Sequence, residues 1–107
     1  MPAIDRNELQ QKMGENDVTV IEVLDASQYR KFHLPTAINI PFDDQFDQQV
    51  AKTLPDKKHP VALYCMDKDC PASSKAAERM ETLGYSRVYD YEDGKMDWKQ
   101  AGLRIHK

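Results

Sequence analysis

The sequence predicts an α/β domain with a mostly parallel sheet. Three observations carry this reading. Short β-branched runs alternate with stretches of helical periodicity, the main runs are apolar on both faces, and proline, glycine and aspartate separate the segments. Asp5 followed by Glu8 has capping-box spacing and opens a helix over about Arg6 to Met13, which Gly14 ends. Val18 to Leu24 has the length and character of a strand covered on both sides. Asp25 then caps a short helix, with Gln28 at its third position and Tyr29 and Phe32 on one side. Ala37 to Ile40 forms a second short strand, stopped by Pro41. Phe46, Val50 and Leu54 recur every four residues, so Asp43 to Leu54 reads as a helix.

Residues 55–60 make a polar, proline-bounded turn, and Val61 to Tyr64 is a third strand that delivers Cys65 at its C-terminal end. After Met66 to Cys70, Pro71 suits the first position of a helix, where its missing N–H costs nothing. Ala76, Ala77, Met80 and Leu83 form that helix's apolar face, and Gly84 stops it. Arg87 to Asp90 is a further strand, and Met96, Trp98 and Ala101 mark a last helix ended by Gly102. With no repeat, low-complexity tract or linker, residues 1–107 read as a single domain.

Composition removes several functional classes. Fifteen Lys plus Arg stand against 18 Asp plus Glu, a net charge of −3, which argues against nucleic acid as a partner. No apolar run approaches the ~20 residues that span a bilayer, and the N-terminus lacks the basic and apolar regions of a signal peptide. A cytoplasmic protein with no membrane partner is the expectation. Two cysteines are too few for a disulfide scaffold, and that compartment would keep them reduced.

Cys65 stands where sites form in parallel sheets, beyond the carboxyl end of a strand. The thiolate is the reactive form of cysteine and needs surroundings that favour negative charge. Backbone N–H groups of the following loop, together with the positive end of the helix near Pro71, are expected to converge on the sulfur. The dipole alone is worth up to ~2 kcal/mol, enough for a shift of about one pKa unit. The same cradle would hold an anionic substrate or a persulfide. Position alone fits equally well a small buried hydrophobe that finishes a core strand.

Landmarks along the chain extend the argument. Val20-Ile21-Glu22-Val23-Leu24, then Tyr29 and Phe32-His33-Leu34-Pro35-Thr36-Ala37-Ile38-Asn39-Ile40-Pro41, resembles the rhodanese pattern of an acidic strand end followed by Gly-His-Ile-Pro-Gly-Ala-Ile-Asn-Ile-Pro. Val61 to Cys65 resembles that family's strand leading into its nucleophile, and Ser74-Lys75-Ala76-Ala77, Leu83-Gly84-Tyr85, Val88-Tyr89, Gly94, Trp98 and Ala101-Gly102-Leu103 resemble the remainder. The resemblance runs from about Ile4 to Ile105 with every landmark in order. It implies a rhodanese-like five-stranded parallel sheet flanked by helices on both faces, and transfer of a sulfane sulfur through a cysteine persulfide. By this resemblance Cys65 is the catalytic nucleophile, and small sulfur donors, thiol or cyanide acceptors, or a protein persulfide acceptor are the partners. No cofactor is implied.

Three departures qualify that resemblance. The usual rhodanese loop is six residues, often Cys-Arg-x-Gly-x-Arg; here the candidate loop reads Cys65-Met66-Asp67-Lys68-Asp69-Cys70-Pro71-Ala72-Ser73, about two residues longer and without arginine. Thiosulfate is a dianion, and each charge-assisted hydrogen bond lost with an arginine is worth ~1.5–3 kcal/mol. A poor response to thiosulfate is therefore expected, with Lys68 replacing at most part of the charge. Cys70 is the second departure: it is a candidate resolving thiol, able to attack a Cys65 persulfide, or else a filler of a small slot before Pro71. Third, Glu22-Val23-Leu24 and Gln28 stand where the family commonly has Asp-Val-Arg and a Glu, which predicts an ion pair exchanged for neutral contacts. Thr36 replaces a frequent glycine, while His33, Asn39 and Trp98 read as structural.

Three functions remain in view: a sulfurtransferase or persulfide carrier, a Cys65/Cys70 dithiol–disulfide redox module, and a non-catalytic binding module on the same fold. Phosphatase and arsenate-reductase chemistry is set aside, because the first arginine after Cys65 is Arg79, inside a helix. A zinc site is not expected, since Cys65, Cys70 and His59 are too few ligands.

Overall fold

The computed structural model describes residues 2–107. Among the described residues, five helices and four strands alternate in the order α1 (Arg6–Gly14), β1 (Thr19–Glu22), α2 (Ala26–Lys31), β2 (Ile38–Asn39), α3 (Phe46–Thr53), β3 (Val61–Tyr64), α4 (Ala72–Thr82), β4 (Val88–Tyr91) and α5 (Gly94–Gln100). All strand pairs are parallel, in the spatial order β2-β1-β3-β4. Register is set by Ile21 beside both Ile38 and Leu63, and by Leu63 beside Asp90.

Period-two alternation along these strands sorts the core onto two faces. Ile21, Val23, Val61, Leu63, Cys65 and Val88 point to one side, where Phe46 and Val50 of α3 and Ala76, Ala77 and Met80 of α4 cover them. Val20, Ala62, Tyr64 and Tyr91 point to the other, against Leu9 of α1, Leu34, Ala37 and Trp98 of α5. The expected helical cover on both faces is present.

The fifth strand that the family pattern implied is reduced to a single bridge. Ala3 pairs with Asp90 in parallel, through Ile4 N–H to the Asp90 carbonyl and Asp90 N–H to the Pro2 carbonyl, both 3.0 Å. Pro2 has no N–H to extend the ladder and Asp5 already turns the chain as the N-cap of α1, so pairing stops at this bridge. The capping box itself is complete: Glu8 N–H donates to Asp5 Oδ1 at 2.8 Å, and Asp5 N–H to Glu8 Oε1 at 3.3 Å. Gly14 is the last residue of α1, and the left-handed position beyond it is taken by Asn16, at φ 54. Asparagine tolerates that conformation because its short polar side chain hydrogen-bonds locally. Pro71 is the N-cap of α4, one residue outside the first helical position expected.

Candidate active site

Strand β3 ends at Tyr64, and the next residue, Cys65, is 1% exposed on the face covered by α3 and α4. Met66 and Asp67 are half-buried, Lys68 and Asp69 exposed, Cys70 half-buried, and Pro71 exposed at the head of α4. Ala72 and Ser73 open that helix, with Ser73 buried. The structure thus brings every residue of the sequence-predicted loop to the carboxyl edge of the sheet.

Cys65 and Cys70 are paired as a disulfide, with Cα atoms 6.4 Å apart. Reduced thiols were expected; the geometry of the loop instead brings the sulfurs together, at a Cα separation within the range disulfides adopt. Asp67 makes this turn. Its carbonyl accepts Cys70 N–H at 3.1 Å and its side chain accepts Asp69 N–H at 3.1 Å, which folds Cys70 back over Cys65. Two loop amides that were expected to face the sulfur are therefore occupied. The polar atoms facing Cys65 Sγ are carbonyl oxygens, that of Cys70 at 3.3 Å and that of Asp67 at 4.0 Å. The expected cradle of N–H groups is not the arrangement of this disulfide form.

Helix α5 holds the base of the loop. Lys95 N–H donates to the Cys65 carbonyl at 3.0 Å and Met96 N–H to the Met66 carbonyl at 2.9 Å. Gly94 makes that approach feasible: a Cβ there would lie 2.6 Å from Asp67 N, Met66 C and Met66 O, and φ is +74°. The Lys95 side chain runs inward and is fully buried. Its Nζ donates to Glu22 Oε2 at 3.0 Å and to the Gln28 and Phe32 carbonyls at 2.9 and 2.8 Å, and lies 4.5 Å from the centre of the Phe32 ring. Glu22 Oε1 accepts the Tyr64 hydroxyl at 2.8 Å, and that hydroxyl accepts Leu34 N–H at 3.1 Å. Burial, and then the Glu22 carboxylate, push the Tyr64 phenol far above its ordinary value, so it stays a donor.

This network corrects the expectation of neutral contacts around Glu22. An acid in an otherwise apolar strand requires a buried partner, and that signal was present in the sequence. Lys95, 73 positions away, could not be named from spacing. Gln28 contributes only its carbonyl. The other structural assignments hold: His33 Nδ1 is 2.9 Å from the Tyr29 carbonyl, Asn39 Nδ2 donates to the Glu22 and Leu24 carbonyls, and Trp98 Nε1 donates to Arg104 O.

Outside the disulfide lies an open cleft of about 470 Å³, lined by residues including Lys68, Cys70, Ser74, Lys75, Glu78 and Glu92. Cys65 does not line it. Beneath it, Ser74 Oγ donates to Asp90 Oδ2 at 2.7 Å, tying the first turn of α4 to β4. No cluster of three or more metal-ligating side chains occurs among the described residues. Nor is any described helix long and apolar enough to cross a membrane.

The sheet order, the cysteine at the end of the central strand β3 and the loop leading into α4 define a rhodanese-type architecture. The Rhodanese-like domain profile matches residues 5–101, and the chain belongs to that family. It is 30% identical over 96% of its length to an HTH-type transcriptional regulator of Mycobacterium tuberculosis, of which it spans 44%. It is 24% identical to the thiosulfate:glutathione sulfurtransferase of Saccharomyces cerevisiae, over 84% of this chain and 72% of that one. Among solved structures, a Bacillus halodurans protein superposes with a TM-score of 0.88 at 27% identity, covering 98% of this chain and 76% of the other. The rhodanese-like domain of an Anabaena protein shares the fold, with a TM-score of 0.84 at 24% identity over 99% of this chain and 79% of its own.

Proposed function

We propose that residues 1–107 work as one sulfurtransferase or persulfide-carrying domain, with Cys65 as the atom that takes and gives sulfur. The observation that supports this best is the position of Cys65. It directly follows a central parallel strand at its carboxyl end, its carbonyl fixed by α5 and its side chain screened from water, in a chain of the rhodanese-like family. The Cys65 thiolate attacks a sulfane sulfur, the donor's leaving group departs, and the resulting persulfide passes its outer sulfur to a thiol or to cyanide. Two relatives are named as thiosulfate-using sulfurtransferases. Toward thiosulfate itself this chain is weak, because its loop offers Asp67 and Asp69 and only Lys68 where a dianion needs cationic donors.

Steady-state sulfur transfer with two donors tests the reading. With reduced protein, kcat/KM for glutathione persulfide exceeds that for thiosulfate, and Cys65→Ser abolishes both. Equal or greater activity on thiosulfate overturns the donor assignment, and full activity in Cys65→Ser overturns the nucleophile.

A further inference from the structure

We propose that Cys70 is a second reactive thiol of this site, one that resolves the Cys65 persulfide and releases its outer sulfur as sulfide. The inference rests on Cys65 carrying a persulfide, and it adds an activity to that reading: reductive sulfide release in place of, or after, transfer. Three features carry it. The sulfurs of Cys65 and Cys70 are paired, the Asp67 turn holds them so, and Cys70 alone of the two lines the open cleft.

The step balances without an outside oxidant. The Cys70 thiolate attacks Cys65 Sγ, the bond from Sγ to the outer sulfur breaks, and the electron pair leaves with that sulfur as HS⁻. Cys70 is oxidised from thiolate to disulfide while the outer sulfur is reduced to sulfide. An attacking thiol held five residues away acts at a high effective concentration and competes well with dilute external thiols. Turnover then needs a dithiol reductant. Its thiol attacks the Cys70 sulfur, since Cys65 is 1% exposed and Cys70 faces the cleft, and Cys65 departs as the thiolate. A second reductant thiol attacks the mixed disulfide, frees Cys70 and leaves the reductant oxidised.

The disulfide form also closes the site. In it, carbonyl oxygens face Cys65 Sγ, the Asp69 and Cys70 amides are spent on Asp67, and the sulfur that would attack a donor is already bonded to Cys70. Each sulfide released therefore leaves a domain that accepts no further sulfur until it is reduced.

The test uses reduced, desalted full-length chain and its Cys70→Ser variant, each given one equivalent of glutathione persulfide. Intact mass and released sulfide are followed together. Both proteins are expected to gain one sulfur atom. The wild type then loses it as one equivalent of sulfide and finishes two hydrogens lighter than at the start, whereas Cys70→Ser keeps its persulfide about tenfold longer or more. Equal persulfide lifetimes, or equal sulfide release, overturn the role of Cys70 and leave the sulfurtransferase reading standing. If neither protein gains sulfur, both are overturned.

Discussion

Thr36 stands at φ 66, in the left-handed region that a β-branched residue rarely adopts, at an exposed position. Such a conformation costs about 1–2 kcal/mol for a non-glycine residue, against about 0.5–1 kcal/mol of extra chain entropy for glycine. Thr36→Gly is therefore expected to raise unfolding free energy by about 0.5–1 kcal/mol in urea titration, and a loss of stability would contradict this. Lys95 carries the opposite kind of strain. With Glu22 it forms a fully buried pair, and removing one partner leaves a charge without compensation. Lys95→Met should cost about 3–5 kcal/mol, and Lys95→Met combined with Glu22→Gln distinctly less than the sum of the two single changes. At this scale the sequence was a partial guide. The odd glycine-to-threonine exchange at 36 and the buried acid at 22 were visible as anomalies, but the cation that answers Glu22 comes from an element almost at the other end of the chain.

Elements place the chemistry. Helix α5 starts at a glycine because its first turn must touch the backbone of the cysteine loop, and a Cβ at 94 would overlap Met66 and Asp67. Gly94→Ala should lower stability by more than about 1 kcal/mol from the positive φ alone, and should slow sulfur transfer because the displaced loop no longer holds Cys65. A variant that folds and transfers sulfur like the wild type would show that α5 does not set the site. Asp67 acts through charge and through its cap on Asp69 N–H. A like charge about 4 Å from an anionic donor costs ~1 kcal/mol in water, so Asp67→Ala should raise thiosulfate kcat/KM roughly fivefold. The helices and strands were largely legible, since helix caps, proline and short β-branched apolar runs are local signals: β3 and the Asp25 cap fall where expected. The loop conformation was not. Its shape depends on which of several amides Asp67 captures, and on α5, neither of which the loop's own residues dictate.

Two buried phenols make the stability of the whole molecule respond to pH. Burial raises the phenols of Tyr64 and Tyr91 well above the usual 10, and carboxylates at Glu22 and Asp97 add to the effect. A raised folded-state value means that the unfolded chain loses these protons first. The stability they contribute is thus complete below about pH 10, the unfolded value, and falls as pH rises beyond it. Urea midpoints should decline from about pH 10 upward, and Tyr91→Phe should flatten that decline; an unchanged slope would contradict the assignment. The fold class, both helical layers and the family were readable from the order of landmarks, because that order reflects the chain's path through the sheet. The fifth strand was over-read, since the pattern could not register that Pro2 and Asp5 leave only a bridge.

The central claim, that Cys65 carries the sulfur, is tested most directly by locating it. Trypsin cleavage at Lys68 separates the two cysteines, placing Cys65 before it and Cys70 after it. Reduced protein treated with glutathione persulfide, trapped at once by alkylation and digested, should show one extra sulfur on the peptide containing Cys65 and none on the peptide containing Cys70. An extra sulfur on the Cys70 peptide alone, or on neither with no sulfide released and no Cys65–Cys70 disulfide formed, would contradict the account.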